Sequence, residues 1–328
     1  MGPKPQYRVV QVITESYYGI TIRSLCRVVD RCETFGKNIR QRRGILKSPA
    51  VSLEFNSTAK PRKENHVNPI IDLVADLGEG FGAYTIGDDS ELLEIVSSAN
   101  IACGFHAGDP DIMAATVGEC VRRGVGIGAH PGFPDLRGFG RRDMGLSAGE
   151  VQNDVVYQVG ALNGFAAFHG TKVTHLAPHG RLGNLVAVRA DYARAVAEAA
   201  ARVDNELVVV AQEGELAVAA RAAGLDVAIV GIVDRAYQED GTLVPRSQPG
   251  AVLHDPADIV ERTLRMVVDG KIRCANGADM DIDVDTVLLH GDNPGAVGLA
   301  RLIRSELISA GVRIAPLAEV MDARKKAA

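Results

Sequence analysis

The sequence predicts an α/β fold, a parallel barrel of seven strand–helix units, and three observations lead to it. From Ile70 onward, apolar strand-like runs alternate with helical patterns. Repeated βα units specify a parallel sheet, because each crossover between parallel strands needs a helix. The body, residues 67–328, has 262 residues, close to the roughly 250 of a typical barrel. Its acids and histidines gather just past the strand-like runs, at the ends where a parallel barrel builds its active face. An open doubly wound sheet is the other arrangement that fits the alternation, since strand order is not written in the sequence.

In order, the strand-like runs are Ile70–Asp76, Asn100–Cys103, Val125–His130, Val173–Pro178, Leu207–Ala211, Val227–Val230 and Thr286–His290. An eighth short run lies near Val312–Ala315. Between them the periodicity predicts helices over Asp88–Ser98, Pro110–Arg123, Ala148–Phe168, Arg189–Val203, Glu213–Ala223, Pro256–Asp269 and Pro294–Ala310. Asp88 with Glu91 three residues on has the form of a capping box. Gly124, Gly224 and Gly311 sit where helices close.

Residues 1–66 are a different material. They carry a charge of +8 against −13 for the remainder, with no sustained amphipathic period and a polar linker-like stretch over 56–68. This basic extension is expected to be poorly ordered or non-native: either a genuine basic arm or a segment ahead of a valine start at Val67. Neither a cleavable signal nor a run of about 18 apolar residues occurs, so no membrane span is expected. The acidic body and the absence of Trp argue against nucleic-acid binding. Five scattered cysteines without a Cys-x-x-Cys pair fit free thiols in a reducing cytoplasm.

Position singles out the candidate site. Asp76, Glu79, His106, Asp109, His130, His179, Asp234, Arg235, His290 and Asp292 all fall at or just past predicted strand ends, whereas His66, His169, His175 and His254 do not. Strand alternation puts Asp72, Val74 and Asp76 on one face and Leu73, Ala75 and Leu77 on the other. Buried acids need hydrogen bonds, a ligand or a cation. Gly78 to Ala83 fits the form G-x-G-x-x-A, but no helix opens at once and Glu79 would repel a pyrophosphate. Acids with histidines permit a metal-activated water or direct general acid–base chemistry. No His-Glu-x-x-His spacing fixes a metal, and no Gly-x-Ser-x-Gly elbow points to a serine nucleophile. The reaction class is hydrolysis of a C–N or ester-like bond.

Several motifs carry a resemblance. They are Asp72-Leu73-Val74-Ala75-Asp76-Leu77-Gly78-Glu79, the long run Ser97 to Asp109, and Gly128-Ala129-His130-Pro131-Gly132-Phe133-Pro134-Asp135. Pro178-His179-Gly180, Asp234-Arg235-Ala236-Tyr237, Leu243-Val244-Pro245-Arg246-Ser247 and Leu289-His290-Gly291-Asp292 follow in the same order. Over about residues 70–316 the chain resembles the LamB/YcsF family. The resemblance implies an irregular seven-stranded barrel of the glycoside hydrolase/deacetylase type. It also implies a part in ATP-dependent 5-oxoprolinase, which opens the lactam of 5-oxoproline to glutamate. ATP with Mg2+ would be used through partner subunits B and C. On this reading Asp76, His106, His130, His179 and Asp292 are catalytic, and Asp72, Glu79, Asp109, Asp234, Arg235, Arg246 and His290 bind substrate. A bound divalent metal and self-association are left open. The family usually has Asn, Lys and Tyr where Val74, Ala177 and Gly183 stand here. Those departures keep two alternatives in view, a stand-alone metal-dependent amidohydrolase or deacetylase on another lactam or N-acyl compound, and a non-catalytic binding subunit.

Overall fold

Alternation along the first apolar run decides how the barrel is lined. In the computed structural model, which describes residues 69–291 and 295–327, β1 (Ile70–Leu77) sends Leu73, Ala75 and Leu77 into the hydrophobic core. Asp72 and Asp76 take the other parity, and both are buried. Around β1 the chain winds as α1 (Asp89–Leu92), β2 (Ser98–Ala102), α2 (Pro110–Arg123), β3 (Gly126–His130), α3 (Ala148–Phe168) and β4 (His175–Leu176). It continues with α4 (Gly180–Val186), α5 (Ala190–Val203), β5 (Val208–Ala211), α6 (Glu215–Ala222) and β6 (Val227–Ile232). The last part holds α7 (Pro256–Leu264), the hairpin β7 (Lys271–Arg273) and β8 (Asp279–Asp281), β9 (Thr286–Leu289), α8 (Ala296–Ser309), β10 (Arg313–Ile314) and α9 (Leu317–Ala327).

Strands β1 to β6 pair in sequence order, β6 pairs with β9, and β9 returns to β1, so seven parallel strands close into a ring. Closure removes both sheet edges. The open doubly wound sheet is thereby excluded. The eighth run becomes β10, which pairs only with Ile70 and Ile71 at the start of β1 and stays outside the ring.

Asp72 holds the seam. Its carboxylate accepts 2.7 Å hydrogen bonds from Ser97 Oγ, just before β2, and from Thr286 Oγ1 on β9. Ser97 Oγ also accepts from the Leu73 amide at 2.8 Å. The predicted first helix is therefore cut short. Residues Ser97 and Ser98 belong to the barrel, Ser98 lying opposite Val74 in the register, and only Asp89–Leu92 is helical. The short α4, α9 and the β7–β8 hairpin are additions that the periodicity does not announce. The basic extension, residues 1–66, lies outside the described residues. Among those described, no helix is long and apolar enough to cross a membrane.

Burial raises the Asp72 pKa to about 6, against the pull of its hydroxyl partners. A carboxyl whose folded pKa is raised stabilises most below its unfolded pKa and loses that contribution as pH rises through the folded value. Stability of the wild type relative to Asp72→Asn should fall by roughly 3 kcal/mol between about pH 4 and pH 6. Parallel pH profiles from denaturant titrations of the two proteins would contradict this.

Candidate active site

Loops at the C-terminal ends of the strands bring the predicted histidines together. His130 is the last residue of β3, His179 immediately precedes α4, and Glu79 and His106 follow β1 and β2. All four side chains are buried. Their nearest ligand-capable atoms lie within 4.8 Å of one another, a cluster that could hold a metal ion.

Two backbone carbonyls set the imidazoles. His130 Nδ1 lies 2.6 Å from Ala177 O, and His179 Nε2 lies 2.9 Å from Phe139 O. A carbonyl only accepts, so each of these nitrogens carries the hydrogen. The other two nitrogens, His130 Nε2 and His179 Nδ1, face each other at 2.9 Å. Glu79 Oε1 is 3.4 Å from His179 Nδ1 and 3.2 Å from His106 Nε2. The His106 and His179 rings stack with centroids 3.7 Å apart and planes 4° from parallel. Burial pushes the pKa values of His106, His130 and His179 down, reinforced for His106 and His179 by neighbouring positive charge.

The local sequence is built for this crowding. Asp135 caps the 3-10 turn Leu136–Gly138, and the chain then passes through Phe139 at φ +54°. That left-handed conformation costs on the order of 1 kcal/mol for a residue with a Cβ. It aims the Phe139 carbonyl at His179. Gly140 follows at φ +63°, where a Cβ would lie 2.8 Å from both His106 Cβ and His179 Cδ2.

Asp76 stands on the cavity side of the cluster, its Oδ1 3.5 Å from His130 Nε2. Asn100 Nδ2 donates to the same oxygen at 2.9 Å, and His175 Nε2 donates to Asn100 Oδ1 at 3.1 Å. Burial lowers the His175 pKa to about 3, so its ring serves as a neutral donor. Sequence position set His175 aside and passed over Asn100. Strand register contains the signal for Asn100, which lies opposite Asp76. A second signal is Gly128, where a Cβ would fall 2.0 Å from His175 Nε2, so only glycine lets that ring cross β3.

Across a cavity of about 650 Å3, lined by Asp76, His130, His179, Arg235, Arg246 and His290 among others, stands a second group. Both Asp234 carboxylate oxygens lie 2.9 Å from His290 Nδ1, and Arg246 Nη2 lies 3.3 Å from His290 Nε2. Burial opposes charge on His290, but the Asp234 carboxylate prevails and its pKa is raised. Asp234 is lowered, its burial outweighed by His290 and Arg246.

The remaining predicted residues stand differently. Asp72 is engaged at the seam. Asp109 caps α2 through the amides of Asp111 and Ile112 and accepts from Gly82 N at 2.7 Å. Arg235 lines the cavity, but its guanidinium donates to the carbonyls of Ala251 and Val244 at 3.1 and 2.7 Å, which organises the loop after β6. Asp292 lies outside the described residues.

Known proteins match this chain closely. The model of the LamB/YcsF family matches residues 71–322. A Rhodopseudomonas palustris protein, named as the A subunit of 5-oxoprolinase, is 52% identical over 250 residues, which cover 76% of this chain and 98% of that one. The Pyrococcus furiosus protein of the same name is 48% identical, with the same coverage. The crystal structure of a lactam utilization protein from Thermus thermophilus superposes with a TM-score of 0.72 at 42% identity, covering 75% of this chain and 99% of the other.

Two outcomes follow from the geometry. Asp234→Asn should lower the His290 titration midpoint by about 1 pH unit or more, since it removes the charge that sustains the imidazolium; an unchanged midpoint in NMR titration would contradict the pairing. Gly140→Ala should destabilise the protein by about 2–4 kcal/mol, from left-handed strain plus overpacking against the two histidines. A loss below roughly 0.5 kcal/mol in denaturant unfolding would mean the loop relaxes freely.

Proposed function

The chain belongs to the LamB/YcsF family, and from that premise we propose that it hydrolyses the lactam of 5-oxoproline to glutamate as the A subunit of a multi-subunit 5-oxoprolinase. The observation that carries this reading is the two-walled cavity. One wall offers Asp76 beside His130 and His179, and the other offers Arg246 beside the Asp234–His290 pair. 5-Oxoproline has two matching features, a cyclic amide to be attacked by water and a carboxylate to be held.

In this arrangement Arg246, exposed at the rim, pairs with the substrate carboxylate, a charge-assisted contact suited to a guanidinium. The lactam carbonyl then faces Asp76. This carboxylate takes a proton from the attacking water, and Asn100 holds it in place through Oδ1. Water adds to the carbonyl carbon, the ring C–N bond breaks, and the ring nitrogen takes a proton to become the amine of glutamate. A five-membered lactam is a poor electrophile. Phosphorylation of its oxygen by ATP with Mg2+, supplied through partner subunits B and C in the cytoplasm, activates the carbon; addition of water and C–N cleavage then leave the acyl phosphate of glutamate, and a second water releases inorganic phosphate and glutamate. The chain's own residues then position and hydrolyse the activated species.

Two cavity positions bear on substrate choice. Ala177 and Gly183 both line the cavity, where the family usually presents Lys and Tyr. A side chain on Gly183 would bring its Cβ within 2.5 Å of Pro178 O, so the backbone as it stands excludes one. The same hydrolysis on a neighbouring lactam or N-acyl compound is the second reading, favoured by this widened mouth.

Glutamate release from 5-oxoproline should appear when the chain is mixed with B and C subunits and Mg-ATP. No release, with partners shown active on another protein of this family, would move the assignment to the second reading. Arg246→Ala should raise KM more than it lowers kcat, and the opposite split would remove Arg246 from carboxylate binding. Asp76→Asn should lower kcat by about 10²–10⁴-fold, the usual worth of a positioned general base; steady-state kinetics within tenfold of wild type would exclude that role.

A further inference from the structure

We propose that His130 Nε2, His179 Nδ1 and the Glu79 carboxylate hold one divalent transition-metal ion at the cavity wall, with His106 bracing Glu79 rather than serving as a fourth ligand. The proposal deepens the hydrolase reading of this site, but it stands on donor geometry and not on the identity of the substrate.

The carbonyls of Ala177 and Phe139 accept from His130 Nδ1 and His179 Nε2 and so fix the orientation of both rings. The nitrogens turned to the centre are His130 Nε2 and His179 Nδ1, 2.9 Å apart, with Glu79 Oε1 3.4 Å from the latter. Three ligand-capable atoms therefore converge at one buried point beside the cavity. Such a convergence is costly unless a cation lies within it. Ligands about 2.0–2.1 Å from a tetrahedral ion are separated by roughly 3.3 Å, and the two separations bracket that value.

His106 is set apart by its orientation. Its ring lies face to face on His179, with planes 4° from parallel and centroids 3.7 Å apart. In-plane lone pairs of stacked rings run side by side and do not meet at one ion. His106 Nε2 instead lies 3.2 Å from Glu79 Oε1, where it donates, while its Nδ1 is buried without a hydrogen-bond partner.

His130 and His179 line the cavity together with Asp76. An ion held between them keeps an open side toward substrate, with the Asp76 carboxylate 3.5 Å from His130 Nε2. Two imidazoles and one carboxylate suit zinc, iron or cobalt in the divalent state over magnesium or calcium, which prefer all-oxygen shells.

The test uses the full chain without a polyhistidine tag, stripped with a chelator and titrated with Co2+, whose visible absorption reports a four- or five-coordinate nitrogen–oxygen site. One Co2+ per chain, displaced by one Zn2+, is expected. His130→Gln and His179→Gln should abolish the absorption, whereas His106→Gln should keep it with affinity weakened about 10–100-fold, as for a residue that orients a ligand. Absence of stoichiometric Co2+ absorption in the wild type overturns the proposal and leaves a proton on His179 Nδ1 as the cation. Absorption that persists in both His130→Gln and His179→Gln also overturns it, because the ion then sits elsewhere. Loss in His106→Gln equal to that in the ligand variants overturns the bracing role. The wild-type titration decides the main point without relying on any variant's folding. Because no turnover is read, a failed glutamate assay and a failed metal site remain separate results.

Discussion

Two backbone carbonyls, those of Ala177 and Phe139, govern the chemistry of the barrel mouth. By accepting from His130 Nδ1 and His179 Nε2 they dictate which nitrogen of each ring is left to face the other. Much of the surrounding architecture keeps those carbonyls in place. Ala177 closes β4 through a 2.9 Å bond from its amide to Ala129 O on the neighbouring strand. Phe139 is held in its left-handed conformation by the Asp135-capped turn before it and by the Arg181 amide, which bonds Gly140 O at 3.0 Å. Strain at Phe139 is thus localised where it fixes a tautomer, a pattern common at functional sites.

Beneath the mouth, polar groups run down the barrel interior and are paired layer by layer. His175, Asn100 and Asp76 make one chain, and Asp72 with Ser97 and Thr286 makes another. The upper chain presents a carboxylate to the cavity with a defined orientation. The lower one ties β1 to both of its neighbours, so the closed ring and the aimed carboxylate depend on the same strand. Leu73, Ala75 and Leu77 on its opposite face bind it to the helices through apolar burial.

The barrel was legible because period-two alternation in the strands and helical spacing between them are local properties. So was the gathering of His106, His130, His179 and His290, since each ends or follows a strand and a parallel ring sends all such ends to one face. What local pattern could not separate was two uses of the same residue type. Asp72 and Asp76 share parity on β1, yet one is sealed at the seam and the other reaches the cavity, a difference set by how far along the strand each lies. Asp109 and Arg235 also sit at strand ends, but backbone groups created only by the folded loops claim their side chains. His175 lies within its strand, where position does not single it out, and only Gly128 opposite it shows why a ring fits there. Ser97 and Ser98 read as a helix end because register with β1 is a nonlocal fact.

Backbone acceptors turn His130 Nε2 and His179 Nδ1 toward each other at the heart of the site. The most direct measurement is ¹⁵N NMR of the histidine ring nitrogens in the protein as purified at neutral pH. One hydrogen per ring is expected, on Nδ1 of His130 and on Nε2 of His179. A hydrogen on His179 Nδ1 or on His130 Nε2 would contradict it.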